Sequence, residues 1–275
     1  MTTPTRLILV FAAILALHSG CGDDDSDSGP SDRQVSLVQS SASASGAVGQ
    51  VVEAANSEIV FGGSGSPPPG SGDPPAFNFS ASVDVVVDLD SLDAFGNDRF
   101  PNATGQVHVV ASGTVTGTSL SGEASYSVAV AAETDVIVTN PETQEQVLIP
   151  AESSWSYQLD ITWNVTDASN WTVTATAASQ VGVTDMTVID GGTVKSIDLE
   201  GQRQVDATLA RTAGTLTFQR SVEGSLAITV DDGISVANVD IVFDGAGQVT
   251  VSVEGQVFGP MSEAEARALF KASIN

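Results

Sequence analysis

Residues 155–166 read WSYQLDITWNVT, and this stretch decides the fold class of the chain. Apolar and polar residues alternate throughout it, so that Trp155, Leu159 and Trp163 share one side of an extended backbone while Ser156 and Thr162 share the other. A period of two is typical of a β-strand with one buried and one exposed face. The stretch therefore predicts a long, half-buried strand.

The same alternation runs through most of the chain from Phe77 onward. It recurs around residues 77–89, 107–115, 120–130 and 171–175, and again near 194–211, 215–230, 234–243 and 248–257. Short connections between these segments predict antiparallel pairing of sequence neighbours. The predicted fold class is all-β, a long-stranded antiparallel meander that forms a curved sheet, a sandwich or a half-open barrel, with a closed barrel as a further alternative.

The end of the chain changes from the strand period to a helix pattern. Ser262 is followed three residues later by Glu265, which is the spacing of a capping box. Ala266, Leu269 and Phe270 then fall on one helical face. The pattern predicts a short C-terminal helix that plugs one end of the sheet, with a partner-binding helix as the alternative.

The region before the sheet has three parts. Residues 21–33 form a predicted acidic tether, because GDDDSDSGPSDR has no apolar residue to pack and carries like charges. Residues 34–76 hold a predicted short helix over 47–56, where Val48, Val51 and Val52 have helical spacing, and then a linker rich in proline and glycine. The β domain, with its C-terminal helix, is predicted over residues 77–275.

Residues 1–20 are typical of an export signal. Arg6 precedes the apolar run LILVFAAILAL, and Ser19 and Gly20 precede Cys21, the one cysteine of the chain. This stretch resembles the signal of bacterial lipoproteins, although His18 stands where that family has leucine and Leu17 lies one position earlier. The alternative is an ordinary cleaved signal followed by an incidental cysteine.

The resemblance implies a lipid anchor and an address. Cleavage would fall before Cys21, whose sulfur would carry diacylglycerol and whose new amine would be acylated. Gly22 follows the cysteine, where lipoproteins retained in the inner membrane usually have aspartate. The expected location is therefore the cell envelope at the outer membrane, facing either the periplasm or the surface, and the membrane is a partner through the anchor.

Charge excludes some classes of partner. The chain has 9 Lys and Arg against 34 Asp and Glu, a net charge of −25, which speaks against direct binding of nucleic acid.

No histidine pair, phosphate loop or dinucleotide fingerprint is present, so no cofactor is expected. His108, on the polar face of its strand, is expected to be surface. The aspartates around residues 84–98 do not match an EF-hand, so no metal site is predicted.

Two arginines stand out because they are in phase with the apolar face. A tight hairpin centred on Ala213 and Gly214 would pair Leu209 with Phe218, Leu199 with Ile228 and Ile197 with Val230. The same register sets Arg203 opposite Gly224 and Arg220 opposite Ala207, small residues that leave room for a guanidinium. An arginine that faces a core is costly unless it is paired.

Three interpretations of these arginines follow from the sequence. A three-residue loop at residues 231–233 would bring Asp240 and Asp244 to Arg203 and Arg220 as ion-pair partners, although Val239 and Phe243 alternate in the opposite phase. Alternatively, Arg203 and Arg220 bind the anionic head of an apolar ligand inside a curved sheet. In the third interpretation, the sheet edge twists both into solvent.

The function expected from these observations is that of an envelope-anchored lipoprotein, structural or binding an apolar small molecule, without enzymatic activity. The alternative is a surface adhesion or protein-interaction module, and a third hypothesis is a hydrolase that uses paired carboxylates. An unfilled concavity would favour the ligand carrier. A filled interior with exposed edge strands would favour a protein partner.

Overall fold

The computed structural model describes residues 29–57, 76–91, 103–139 and 145–270. Within these residues the chain forms a 13-stranded antiparallel sheet that stays open, with a short helix at its C-terminal end. The predicted all-β fold class is therefore confirmed. Cys21 and the rest of residues 1–28 lie outside the described residues, and so does the predicted linker apart from Ala76.

The elements follow each other in a simple order. Helix α1 (Asp32–Ser57) comes first, then the strands, then helix α2 (Glu263–Phe270). The strands are β1 (Phe77–Asp88), β2 (Ala103–Thr104), β3 (Gln106–Gly117), β4 (Ser121–Ala132), β5 (Val136–Thr139), β6 (Gln146–Ile149), β7 (Ser154–Asp167), β8 (Asn170–Asp190), β9 (Thr193–Thr212), β10 (Thr215–Asp231), β11 (Val236–Asp244), β12 (Gln248–Val253) and β13 (Gln256–Ser262). A 3-10 turn, Leu89–Ser91, follows β1.

The sheet is mainly a meander. Its order is β1-β3-β4-β7-β8-β9-β10-β11-β12-β13, and a side branch of β2, β5 and β6 joins at β8. The hairpin between β9 and β10 turns on Ala213 and Gly214, which both have positive φ, at 50° and 84°. Such two-residue turns match the twist of paired strands. The predicted register is confirmed, since Leu209 pairs with Phe218 and Ile197 with Val230.

Helix α1 fills the concave side of the sheet. Leu37, Val38 and Val51 are at most 1% exposed, and one continuous core cluster joins them to side chains from Val87 on β1 to Phe258 on β13. A single core that reaches both ends of the strand order means that the sheet curls around the helix. The chain thus buries the apolar face of its sheet against its own N-terminal segment.

The helix differs from the prediction in length. It has 26 residues and begins at Asp32, inside the segment predicted to be a tether. The sequence obscured it because serine, a poor helix former, interrupts the apolar pattern. In the fold, the buried Ser40 and Ser41 hydroxyls donate to the carbonyl oxygens of Ser36 and Leu37, at 3.0 and 2.8 Å, so that they need no water.

Polar contacts fix the N-terminal end of α1 on the strand loops. Arg33 donates to Asp232, with 3.1 Å between Nη2 and Oδ2, and it also contacts Glu254. Further along the helix, Lys195 of β9 donates to the hydroxyl oxygens of Ser36 and Ser40 at 2.8 and 2.6 Å. The helix is therefore an integral part of the domain.

The longest strands extend into a second, smaller core. Leu159, Ile161 and Ala175 form a buried cluster separate from the first, and no helix residue belongs to it. Tyr126 and Tyr157 lie against this cluster, and burial raises the pKa of Tyr157 to about 12. We call this region, formed by residues 157–180 and 203–222, the distal sheet.

Candidate functional site

Arg203 lies on the inner face of β9, where the distal sheet begins. It pairs with Gly224 of β10 and with Ser179 of β8, so small residues flank it on both sides. Its guanidinium carbon lies 5.1 Å from the centre of the Phe243 ring of β11. A cation over an aromatic face at this distance is attracted by the ring quadrupole.

Gly224 makes this arrangement possible. Its φ is +143°, and a Cβ atom there would come within 2.3 Å of the Gln202 carbonyl oxygen and 2.7 Å of the Arg203 Cα. Because real side chains do not tolerate such contacts, only glycine fits at this position. The prediction that Arg203 lies opposite Gly224, and Arg220 opposite Ala207, is confirmed.

The predicted ion pairs of these arginines are wrong. Val230 pairs with Ala237 and Asp231 with Val236, so the loop between β10 and β11 is longer than the three residues that the prediction assumed. The longer loop reverses the faces of β11, and Asp240 and Asp244 are exposed on the outer side. The opposite phase of Val239, Ile241 and Phe243 indicated this arrangement, because all three side chains are buried.

The loop is longer because Asp232 organises a turn of its own. One of its carboxylate oxygens, Oδ1, accepts hydrogen bonds from the backbone N–H groups of Ile234 and Ser235, at 2.9 and 3.0 Å. The other carboxylate oxygen receives Arg33 of α1. Aspartate in such a turn competes with the tight glycine-ended loop that the sequence suggested.

Positive charge collects around Arg203. Its Nε atom is buried and has no hydrogen-bond partner among the described residues. Burial lowers the pKa of the Arg203 guanidinium, and the nearby Arg220 and Arg267 lower it further, whereas Glu263 opposes them. We call Arg203, Arg220 and Arg267 the arginine cluster. Its members come from β9, β10 and α2.

Arg220 is the exposed member of the cluster. It lies on the stretch of β10 that extends past the end of β11, together with Leu216 and Phe218, which are 60% and 47% exposed. The acidic residues of the same strands, Asp206 and Glu223, are on the other face in the alternation of the strands. The inner face of this part of the sheet is thus cationic and apolar, although the chain as a whole is strongly acidic.

A second polar group lies on the outer face of the sheet. The His108 Nε2 atom is 2.7 Å from the Asp84 Oδ1 atom, and its Nδ1 atom is 3.5 Å from Glu133. The hydrogen bond to Asp84 raises the pKa of His108. The sequence placed His108 on the polar face of its strand but missed this grouping, because the pairing of β1 with β3 is not readable from either strand alone.

A groove of about 780 Å³ crosses the outer face beside His108. Its lining is mostly small, including Ala129, Ser156 and Gly182, with the carboxylates of Asp198 and Glu200 at one side. His108 also lines the groove, and its ring has its hydrogen bond with Asp84.

The described residues offer little for metal binding or membrane spanning. In this part of the chain, no group of three or more His, Cys, Asp or Glu side chains is arranged to hold a metal ion. Asp88 and Asp90 accept backbone N–H groups, at 3.2 and 3.3 Å, and Asp93 and Asp98 lie outside the described residues. Neither α1 nor α2 has the length and apolar content that crossing a membrane as a helix requires.

Comparison with protein-family models, with curated proteins and with solved structures found no match to this chain.

Proposed function

We propose that the protein is an envelope-anchored, non-catalytic lipoprotein whose β domain is a structural module that binds a protein partner. The observation that supports this most is the filled concavity of the sheet. Leu37, Val38 and Val51 of α1 occupy the space that a carrier would need for an apolar ligand. Ligand sites in curved sheets require several hundred Å³ of open volume, about 300 Å³ or more.

Exposed sheet edges add to the argument for a protein partner. In the described part of the chain, β1 pairs only with β3, and Val85 and Val86 on β1 are 37% and 53% exposed. Edge strands present unpaired backbone groups, which other chains can use for pairing. An anchored domain with such edges is suited to holding a partner at the envelope.

The anchor is tested at Cys21. A Cys21→Ala variant is expected to lose incorporation of radioactive palmitate and to leave the membrane fraction, because the thiol is the proposed point of acylation. A Cys21→Ser variant, whose side chain is of similar size, is expected to lose the labelling as well. Continued labelling of either variant would contradict the proposed anchor.

The absence of a carried ligand is tested on the full chain purified in dodecyl maltoside. Native mass spectrometry is expected to give the mass of the acylated protein alone, and organic extraction to release no amphiphile near stoichiometry. An extracted amphiphile at about one per protein would overturn the interaction module in favour of a carrier.

One observation favours a second candidate function, the binding of an amphiphile with an anionic head. The buried Nε atom of Arg203 has no partner among the described residues, and Leu159 and Ala207 of the inner face lie in the same distal sheet. A carboxylate or phosphate head would satisfy the guanidinium by charge-assisted hydrogen bonds. The same extraction experiment decides between the two candidates.

A further inference from the structure

Residues 215–222 of β10 form an open edge. On one side this stretch pairs with β9, from Thr215 with Thr212 to Val222 with Val205. On the other side, pairing with β11 begins only at Glu223, which faces Asp244. Within the described ranges, no strand pairs with residues 215–222 on that side, and at the end of this stretch the Val222 carbonyl oxygen accepts the Gly245 N–H group at 2.9 Å. At about 3.3 Å per residue, the edge is about 26 Å long.

The side chains along this edge define what would fit there. Leu216 and Phe218 present exposed apolar surface on the inner face, and Arg220 continues the same row. Arg203, whose Nε atom lacks a partner in the described part of the chain, lies one strand away on the same face. A fitting strand therefore has apolar side chains that alternate with its outward residues and carboxylates placed to reach the two guanidinium groups.

Charge argues against a second copy of the chain as the occupant. Pairing two β10 edges would bring the arginine clusters of both copies together, and each copy carries an overall net charge of −25. Both effects repel. A partner segment that is locally acidic gains from the first effect instead of losing.

We propose that residues 215–222 of β10 bind an extended, apolar and acidic segment of a partner protein by β-strand addition. Its main chain would pair with the free edge, its apolar residues would cover Leu216 and Phe218, and its carboxylates would meet Arg220 and Arg203. This inference rests on the proposed interaction function and names the surface and the chemistry of the partner. Strand addition of this kind obtains affinity from the backbone and specificity from alternate side chains.

The probe is a capped, fluorescein-labelled octapeptide, Glu-Thr-Glu-Thr-Val-Thr-Val-Thr, measured by fluorescence polarisation with the full chain in dodecyl maltoside. Added antiparallel to β10, it has both glutamates and both valines on the face of Arg220, Phe218 and Leu216. Saturable binding is expected, and the peptide with glutamine in place of glutamate is expected to bind about tenfold more weakly. Equal binding of the two peptides would overturn the role of the arginines.

Two N-methylated versions of the peptide test the backbone pairing. One is methylated on the valines and glutamates and the other on the threonines, so the two keep their side chains but block opposite rows of N–H groups. Because alternate residues of an added strand face its neighbour, only one version is expected to lose binding. If both versions bind like the parent peptide, the partner does not pair with an edge.

Substitutions locate the site on β10. Arg220→Gln is expected to weaken binding of the parent peptide about tenfold, and Phe218→Ser to weaken it as well. Arg33→Gln is the control, because Arg33 binds Asp232 and Glu254 past the other end of β10, away from residues 215–222. Equal losses in all three variants, or none, would overturn the assignment.

Two further outcomes separate this inference from the proposed function. Absence of peptide binding to a protein that carries no extracted amphiphile overturns the edge site and leaves the interaction module standing. An amphiphile near stoichiometry overturns the interaction module itself. Self-association of the chain that Phe218→Ser abolishes would identify a second copy as the occupant and contradict the acidic partner.

Discussion

At the scale of single residues, the free-energy cost of desolvating the Arg203 guanidinium is only partly offset by its contacts. Burial and two neighbouring arginines lower the pKa of its guanidinium. The ring of Phe243 attracts the cation but only partly replaces its contacts with water. We expect Arg203→Met to raise the free energy of unfolding by about 1 kcal/mol, because an apolar side chain of similar length removes a half-buried cation. Urea denaturation of the parent protein and of the Arg203→Met variant measures this difference.

The control for this substitution is Arg211→Met on the same strand. Arg211 is exposed, so its replacement should change the free energy of unfolding by less than about 0.5 kcal/mol. A loss of about 2 kcal/mol or more in Arg203→Met would contradict the prediction, since it would mean that the guanidinium is well compensated in the fold.

Gly224 provides a second test at this scale. Gly224→Ala is expected to destabilise the protein by about 2–4 kcal/mol, because its positive φ and the close Gln202 carbonyl leave no room for a Cβ atom. Gly182→Ala on β8 is the matched control, as no atom lies within 4 Å of its Cβ position. Thermal and urea unfolding of both variants compare the costs. Equal costs would show that glycine is not required beside Arg203.

His108 links stability to pH. Its folded pKa lies above 6.5 because of the hydrogen bond to Asp84. The stability that the protonated pair contributes is therefore complete below pH 6.5 and is lost as the pH rises through the folded pKa. We expect Asp84→Asn to lower the pKa of His108, as followed by NMR of its ring protons. An unchanged titration would show that Asp84 does not hold the ring in solution.

At the scale of elements, α1 decides whether the sheet has a core. Leu37 is 1% exposed and belongs to the cluster that joins α1 to the strands. Leu37→Ala is expected to cost about 3 kcal/mol in the free energy of unfolding, from lost burial and the cavity left behind. Gln50→Ala, exposed on the same helix, should change it by less than about 0.5 kcal/mol. Similar values for both would mean that the sheet folds without the helix.

The sequence predicted the strands better than it predicted this helix. The alternation of β7 and of the β9–β10 hairpin is local, so the strand type, the register and the positions of Arg203 and Arg220 were readable from the residues alone. Helix α1 has serine and glycine between its buried residues. Its apolar positions can be recognised as one buried face only once the sheet that packs around them is known. The partners of the arginines depended on the length of one loop, which Asp232 sets through contacts that the sequence does not display.

The C-terminal helix, in contrast, was predictable from a few adjacent residues. The Ser262 N–H group donates to the Glu265 carboxylate at 2.7 Å, and the Glu265 N–H group donates to the Ser262 hydroxyl at 3.2 Å. The predicted capping box is therefore confirmed. Phe270 at the end of this helix is fully buried and meets Phe258 edge-on, with 5.3 Å between the ring centres. Local capping starts α2, and contact with β13 fixes it.

At the scale of the whole molecule, the excess of acidic residues opposes folding. A net charge of −25 repels itself in the compact state. Within the sheet, Glu223 of β10 lies directly opposite Asp244 of β11, and like charges in such a cross-strand pair are destabilising. Only 9 Lys and Arg residues are present to balance 34 Asp and Glu. Three of the 9 belong to the arginine cluster.

This balance predicts that salt stabilises the protein. Raising NaCl from 0.1 M to 1 M shortens the Debye length from about 10 Å to about 3 Å, so repulsion across the outer face is screened. The midpoint of urea unfolding should therefore rise with NaCl, and choline chloride at equal ionic strength should raise it equally, because screening does not depend on the cation. Glu223→Gln should raise the midpoint at low salt and reduce the further gain from NaCl, since it removes one of the repelling pairs in advance. If salt lowers the midpoint, the ion pairs of Arg33 with Asp232 and Glu254 outweigh the repulsion, and the attachment of α1 to the strand loops is the electrostatic feature that governs the stability of the domain.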